Sequence, residues 1–202
     1  MKVEIEFTEP LLGTRAGNKE LATEYQASKH PDQIQEDEAD AIENIDEKLE
    51  KSSTVFDRDE ERKPFLWDYQ IKGFFKAACR AMRDTETHTK KELEAAKLRA
   101  YKKTIDTLIF VKPRRILLQM PDGAEMSFCE RPLRGQTVRG ERISLARSEE
   151  APAGTKMVLE ILTMNKKLDK YVEKWLEYGS LYGLGQWRNS GKGRFKFKLL
   201  KE

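Results

Sequence analysis

Only two cysteines, Cys79 and Cys129, occur in the 202 residues, and they stand far apart. Neither belongs to a Cys-x-x-Cys pair, so buried free thiols are expected rather than a disulfide framework or a thiolate metal site. Histidine is as scarce. His30 and His88 sit in polar segments with no partner at metal-ligand spacing, and surface histidines are expected, with no metal and no cofactor. Long apolar runs are missing too: none approaches the ~20 residues that span a bilayer. The opening MKVEIEFTEP alternates in polarity where a signal peptide would carry an apolar core. These absences point to a soluble, cytoplasmic protein with no membrane partner.

What the chain has in quantity is charge, at 36% Asp, Glu, Lys and Arg against 38% hydrophobic residues. The formal net charge of +3 conceals a division. Arg15 to Arg62 holds 7 basic and 15 acidic residues, whereas Val111 to Glu202 holds 19 basic and 11 acidic. A basic half suits a polyanionic partner; the plainer alternative is two solvated faces of opposite sign. The acidic part includes Asp37, Glu38, Asp40 and Asp46, with neither calcium-loop nor zinc spacing. It is read as a solvated helix face, or as a helix that mimics nucleic acid or docks on a basic protein.

Periodicity supplies the elements. Val3, Ile5 and Phe7 alternate with charged residues as a half-buried strand, which Pro10 ends; Leu11, Leu12 and Gly13 follow as an apolar turn. Residues 15–63 form an acidic insertion, in which Ile34 to Lys51 has the thin apolar stripe of one amphipathic helix. From Phe65 to Met82, the residues Ile71, Phe74, Phe75, Ala78, Cys79 and Met82 share the broad face of a core helix. Gly73 interrupts it, for close packing or for the approach of a ligand. Thr89 to Thr104 reads as a charged helix and Leu108 to Met120 as strand, broken at Lys112 to Arg115. Pro121-Asp122-Gly123 marks a turn, and Met126 to Cys129 starts a return strand. Lys156 to Leu162 is a strand. Leu168, Tyr171, Val172, Trp175 and Leu176 stripe a second core helix, which Gly179 is expected to cap. Phe195, Phe197 and Leu199 form the last strand.

Two segments carry candidate binding chemistry. One is the loop from that helix to the last strand, with Gly183, Gly185, Gly191 and Gly193 among Trp187, Arg188, Asn189, Ser190, Lys192 and Arg194. The glycines permit positive φ and close backbone approach. Successive N–H groups there can form an anion nest, arginine and lysine add charge, and tryptophan offers a stacking face. The loop joins helix to strand without the GxxxxGK[ST] order of a P-loop. The other reading is a structural turn with Trp187 plugged into the core. The second segment, Arg131 to Arg147, is a hairpin or loop bearing Arg131, Arg134, Arg139 and Arg142, with Arg114 and Arg115 upstream. Arginine favours bidentate phosphate contacts; the other reading is a solvated hairpin.

Four segments in order, MKVEIEFTEPLLGT, IKGFFKAACRAM, SEEAPAGTKMVLEI and YGLGQWRNSGKGRFKF, resemble the RAMP superfamily of CRISPR-associated proteins over about a third of the chain. The loop departs from that family's pattern in placing Lys192 and Arg194 among its glycines, and the acidic insertion is a second departure. The resemblance implies one α+β domain over 1–202 with a ferredoxin-like (RNA-recognition-motif-like) antiparallel sheet and helices packed on one face. It implies a noncatalytic binder of single-stranded RNA that works with a CRISPR or other defence complex. Two other functions stand beside it. One is a phage or mobile-element protein that interferes with a defence complex by subunit mimicry or nucleotide capture. The other is a metal-independent endoribonuclease, for which neither histidine falls where general acid–base work would need it. No catalytic residue is assigned.

Overall fold

The computed structural model describes residues 1–17, 53–83, 98–137 and 140–200, with the backbone alone at 133–137 and 140–144. Strand β1 (Lys2–Phe7) buries Val3, Ile5 and Phe7, as its alternation requires. It lies between β11 (Lys156–Thr163) and β12 (Phe195–Leu200), antiparallel to both, and β7 (Ile109–Lys112) pairs with the far edge of β11. The register places Val3 opposite Leu159 and Ile5 opposite Met157, so apolar residues meet on one face. Phe7 stands opposite Phe195, their rings edge to face at 6.0 Å.

Helix α1 (Asp68–Arg83) connects β1 to β7, and α3 (Asp169–Tyr182) connects β11 to β12. The resulting strand order β12-β1-β11-β7, with two helical crossovers, is the ferredoxin-like β-α-β-β-α-β arrangement. The expected fold class is the one observed. Ile71, Phe74, Phe75, Ala78 and Cys79 of α1 enter the same core as Tyr171, Val172, Trp175 and Leu176 of α3, and Phe75 packs on Trp175 at 5.7 Å. A short helix α2 (Tyr101–Leu108) buries Thr104 and Ile105 just before β7.

Several boundaries differ from the sequence reading. The helical pattern expected from Phe65 begins at Asp68, because Phe65, Leu66 and Trp67 belong to strand β6 (Pro64–Trp67). There they pair with β8 (Arg115–Leu117), while β5 (Asp57–Arg58) takes the other edge. The Gln70 side chain accepts the Trp67 N–H at 2.7 Å, the backward half of a capping box, and this sets the helix start. Helix α2 runs through Leu108, which was expected in a strand. Gly179 does not cap α3. It lies inside the helix, where a Cβ would run into the Phe195 ring, and the cap is Gly183 at φ +79°.

A second sheet stands beside the first. Leu11–Leu12, expected as a turn, is a buried two-residue strand β2 on β10 (Gly140–Ala151). The arginine segment is indeed a hairpin: β9 (Ser127–Thr137) pairs with β10 along its length. The acidic segment leaves and returns through a paired neck, β3 (Arg15–Ala16) against β4 (Thr54–Val55). The Gly17 N–H donates to the Ser53 carbonyl at 2.8 Å. The helix expected at Ile34 to Lys51 lies outside the described residues, as do His30 and His88.

Candidate nucleic-acid interface

The loop after α3 is fastened at its base. The Leu184 N–H donates to the Gly193 carbonyl and the Gly193 N–H to that of Pro10, each at 2.8 Å. Leu184 is buried. A Cβ at Gly193 would overlap the Leu184 carbonyl, and one at Gly183 would come within 2.5 Å of the Lys192 carbonyl oxygen. These glycines let two strands of one loop lie against each other, beyond permitting positive φ. At the tip, Trp187 is left-handed at φ +52° and Arg188–Ser190 makes a 3-10 turn that Gly191 closes at φ +89°. The N–H groups of Leu184, Ser190, Gly191 and Gly193 all donate within the fold. These four are not free for the anion nest suggested by the glycine spacing; the loop's side chains offer further chemistry.

Those side chains surround a cavity of about 690 Å³ lined by Arg131, Gln186, Trp187, Arg188, Asn189 and Arg194. Arg131 reaches it from β9 and is only 9% exposed. Its guanidinium lies over the Trp187 ring at 4.9 Å, and Nη2 donates to Gln186 Oε1 at 3.1 Å. Gln186 in turn donates to the Gly13 carbonyl at 3.0 Å. Arg131 Nε and Nη1 are buried without a hydrogen-bond partner. A buried cation with unmatched donors is costly, and Arg131 places its charge at the wall of the cavity. Arg188 stacks on Tyr182 at 4.3 Å, while Asn189, Ser190 and Arg194 are exposed. Trp187 is half-buried under Arg131 rather than plugged into the core.

Not every expected residue joins this cavity. Lys192 donates to Glu150 at 2.8 Å with both side chains largely covered, which makes it a strut between loop and β10. Arg139 lies outside the described residues, and for Arg134 and Arg142 only the strand backbone is described. Arg114 and Arg115 stand elsewhere, 5.8 and 5.7 Å from the Trp67 ring. Burial pushes the Cys129 thiol up, with Lys192 opposing and Glu150 reinforcing it, so the group stays protonated at neutral pH.

Sequence patterning overlooked a cleft of about 520 Å³ beside the loop, between α1 and β2. Tyr69, Gly73, Phe74, Gly185 and Arg188 help line it. A Cβ on Gly73 would meet nothing within 4 Å, so this glycine borders open space and is not there for close packing. Its mid-helix position was the one available signal. The sheet face turned away from the helices carries paired charges. Glu6 bonds Lys196 at 2.9 Å and pairs with Lys156 at 3.5 Å, and the Lys196 bond foremost holds its carboxyl below the usual range. Among the described residues no group of three or more His, Cys, Asp or Glu could hold a metal ion, and no helix is long and apolar enough to cross a membrane.

No protein-family model matches the chain, and no curated protein does. Solved structures do match it. A chain of the type III-B Cmr-beta complex bound to cognate target RNA aligns with 99% of this chain at 12% identity and a TM-score of 0.54. A chain of a type IV-B CRISPR complex aligns with 100% of this chain and 92% of its own length at 10% identity, with a TM-score of 0.48. This chain spans 58% of the Cmr-beta chain's length. At such identity the likeness is one of fold: the protein shares its α+β architecture, ferredoxin-like in strand order, with a chain of the Cmr-beta structure.

Proposed function

We propose that the protein binds single-stranded RNA without cleaving it, as a RAMP-type component of a CRISPR-related assembly. The observation that carries this reading is the gathering of three guanidiniums at one cavity: Arg131, covered and held against Trp187 and Gln186, with Arg188 and Arg194 on the same wall. A phosphate there accepts charge-assisted hydrogen bonds in fixed geometry. Asn189 and Ser190 reach the sugar or phosphate from the loop tip, and Trp187 supplies aromatic surface next to the bound group. The likeness to a subunit seen with target RNA supports the choice of RNA. The cavity's polar lining of guanidiniums and amides suits holding a phosphodiester better than moving its protons.

Fluorescence anisotropy with a labelled single-stranded RNA tests the reading. Arg188→Ala together with Arg194→Ala weakens binding strongly, and Lys192→Ala, which breaks a strut, acts mainly on stability. Absence of binding at low salt, or indifference to the arginine pair, counts against RNA. The same RNA stays intact in EDTA at saturating protein, and cleavage there would instead establish the endoribonuclease. The shared fold with a complex subunit also favours a second reading, docking to a defence complex as component or mimic. Capture of that complex from lysate that survives RNase supports direct docking, and capture lost with RNase assigns it to RNA.

A further inference from the structure

We infer a second base-stacking site at Trp67 and Tyr69, at the far end of a groove that begins at the loop cavity; this rests on the RNA-binding reading above. Three depressions share walls. Gly185 and Arg188 border both the loop cavity and the α1 cleft. Arg15, Asp57 and Tyr69 border both that cleft and a third hollow of about 410 Å³, which Trp67 and Arg114 complete. Gly73 leaves open space on the α1 wall of the cleft between the ends, since a Cβ there would meet nothing within 4 Å.

The far end is built for a flat anionic ligand. Trp67 and Tyr69 lie nearly parallel, 15° apart with centroids 6.1 Å from each other, and Tyr69 is 58% exposed. An aromatic that open, backed by a second ring, presents a platform to a base. Asp57, the carboxylate there, does not repel phosphate as a bare charge would. It accepts hydrogen bonds from Arg15 at 2.9 Å and from the Trp67 indole N–H at 2.8 Å. Trp67 is thus fixed by Asp57 on its edge and by Arg114 and Arg115 near its ring. A ring already held in place loses little freedom on binding. Burial, with Asp57 and Asp68 adding, pushes the Tyr69 hydroxyl up, so the ring is neutral when it stacks. A single strand held by its phosphates at Arg131 and Arg188 has its next open path along this groove.

The experiment compares short oligouridylates, long enough only for the loop cavity, with longer ones that cover the groove. The intact chain binds the longer set more tightly. Tyr69→Ala removes that advantage, roughly tenfold as expected for one stacked base, while short-oligomer affinity is retained; Tyr69→Phe, which keeps the ring, restores it. Photocrosslinking of 4-thiouridine in a long oligomer to the wild-type chain marks Trp67 or Tyr69 as well as the loop. Long and short oligomers bound equally, or crosslinks confined to the loop, overturn the second site and leave the loop reading standing. No binding of either length overturns both.

Discussion

Gly73, Gly179 and Gly193 occupy three different physical situations that their common identity hides. Gly73 faces space, Gly179 lies under the Phe195 ring, and Gly193 lies against the Leu184 carbonyl at φ +73°. Alanine should therefore act in opposite directions. Gly73→Ala gains about 0.8–1 kcal/mol of helix propensity, whereas Gly179→Ala costs about 1–3 kcal/mol by overpacking, and Gly193→Ala adds backbone strain to its clash. Denaturant midpoints of the three variants check this order. Arg131 poses a parallel test. Its unmatched donors mean that Arg131→Met should leave the midpoint unchanged or raised, since replacing a desolvated charge with an apolar side chain is often neutral or better. RNA affinity should fall roughly tenfold or more, the worth of a charged hydrogen bond. A lower midpoint with unchanged affinity would make Arg131 structural.

The elements were legible where a repeating pattern met a single surface. The strand β1 and the faces of α1 and α3 follow from spacing alone, because each has one side against the core. Short pieces paired to distant segments were not legible. Leu11–Leu12 and Phe65–Trp67 are apolar runs too brief to show a period, and their strand state is fixed by β10 and β8. The same distance hid a buried carboxylate at the neck. Glu149, 5% exposed, accepts the buried Phe56 N–H at 2.9 Å and pairs with Arg58. Glu149→Ala should cost about 1–3 kcal/mol through the stranded N–H. The denaturation midpoint measures it, and Glu149→Gln, which keeps an acceptor, should recover part of it.

Across the whole molecule, the basic excess of the C-terminal half resolves into cations with different duties. Lys192 and Lys196 are engaged by Glu150 and Glu6, while Arg131, Arg188 and Arg194 gather at one cavity. Only contacts to phosphate release counterions, so the salt dependence of RNA binding should report the second set. Removing Arg188 and Arg194 should reduce the slope of log affinity against log salt by roughly 1.4, at about 0.7 for each single-strand phosphate contact. Lys192→Ala should leave that slope unchanged. Titrations from low to moderate salt measure both.

The sequence by itself determined the alternating strands, the two striped helices, the glycine loop between helix and strand, and the concentration of arginine in the C-terminal half. Each of these depends on neighbours a few residues away, where period and backbone preference are decisive. Tertiary structure alone decided which cations are paired, that several of the loop's N–H groups are already used, and that Arg131 meets Gln186 across 55 positions, with the Trp187 ring beside it. It also decided that Trp67, Tyr69 and Gly73 line a groove. Burial and hydrogen-bond satisfaction depend on segments remote in the chain, and no local pattern encodes them.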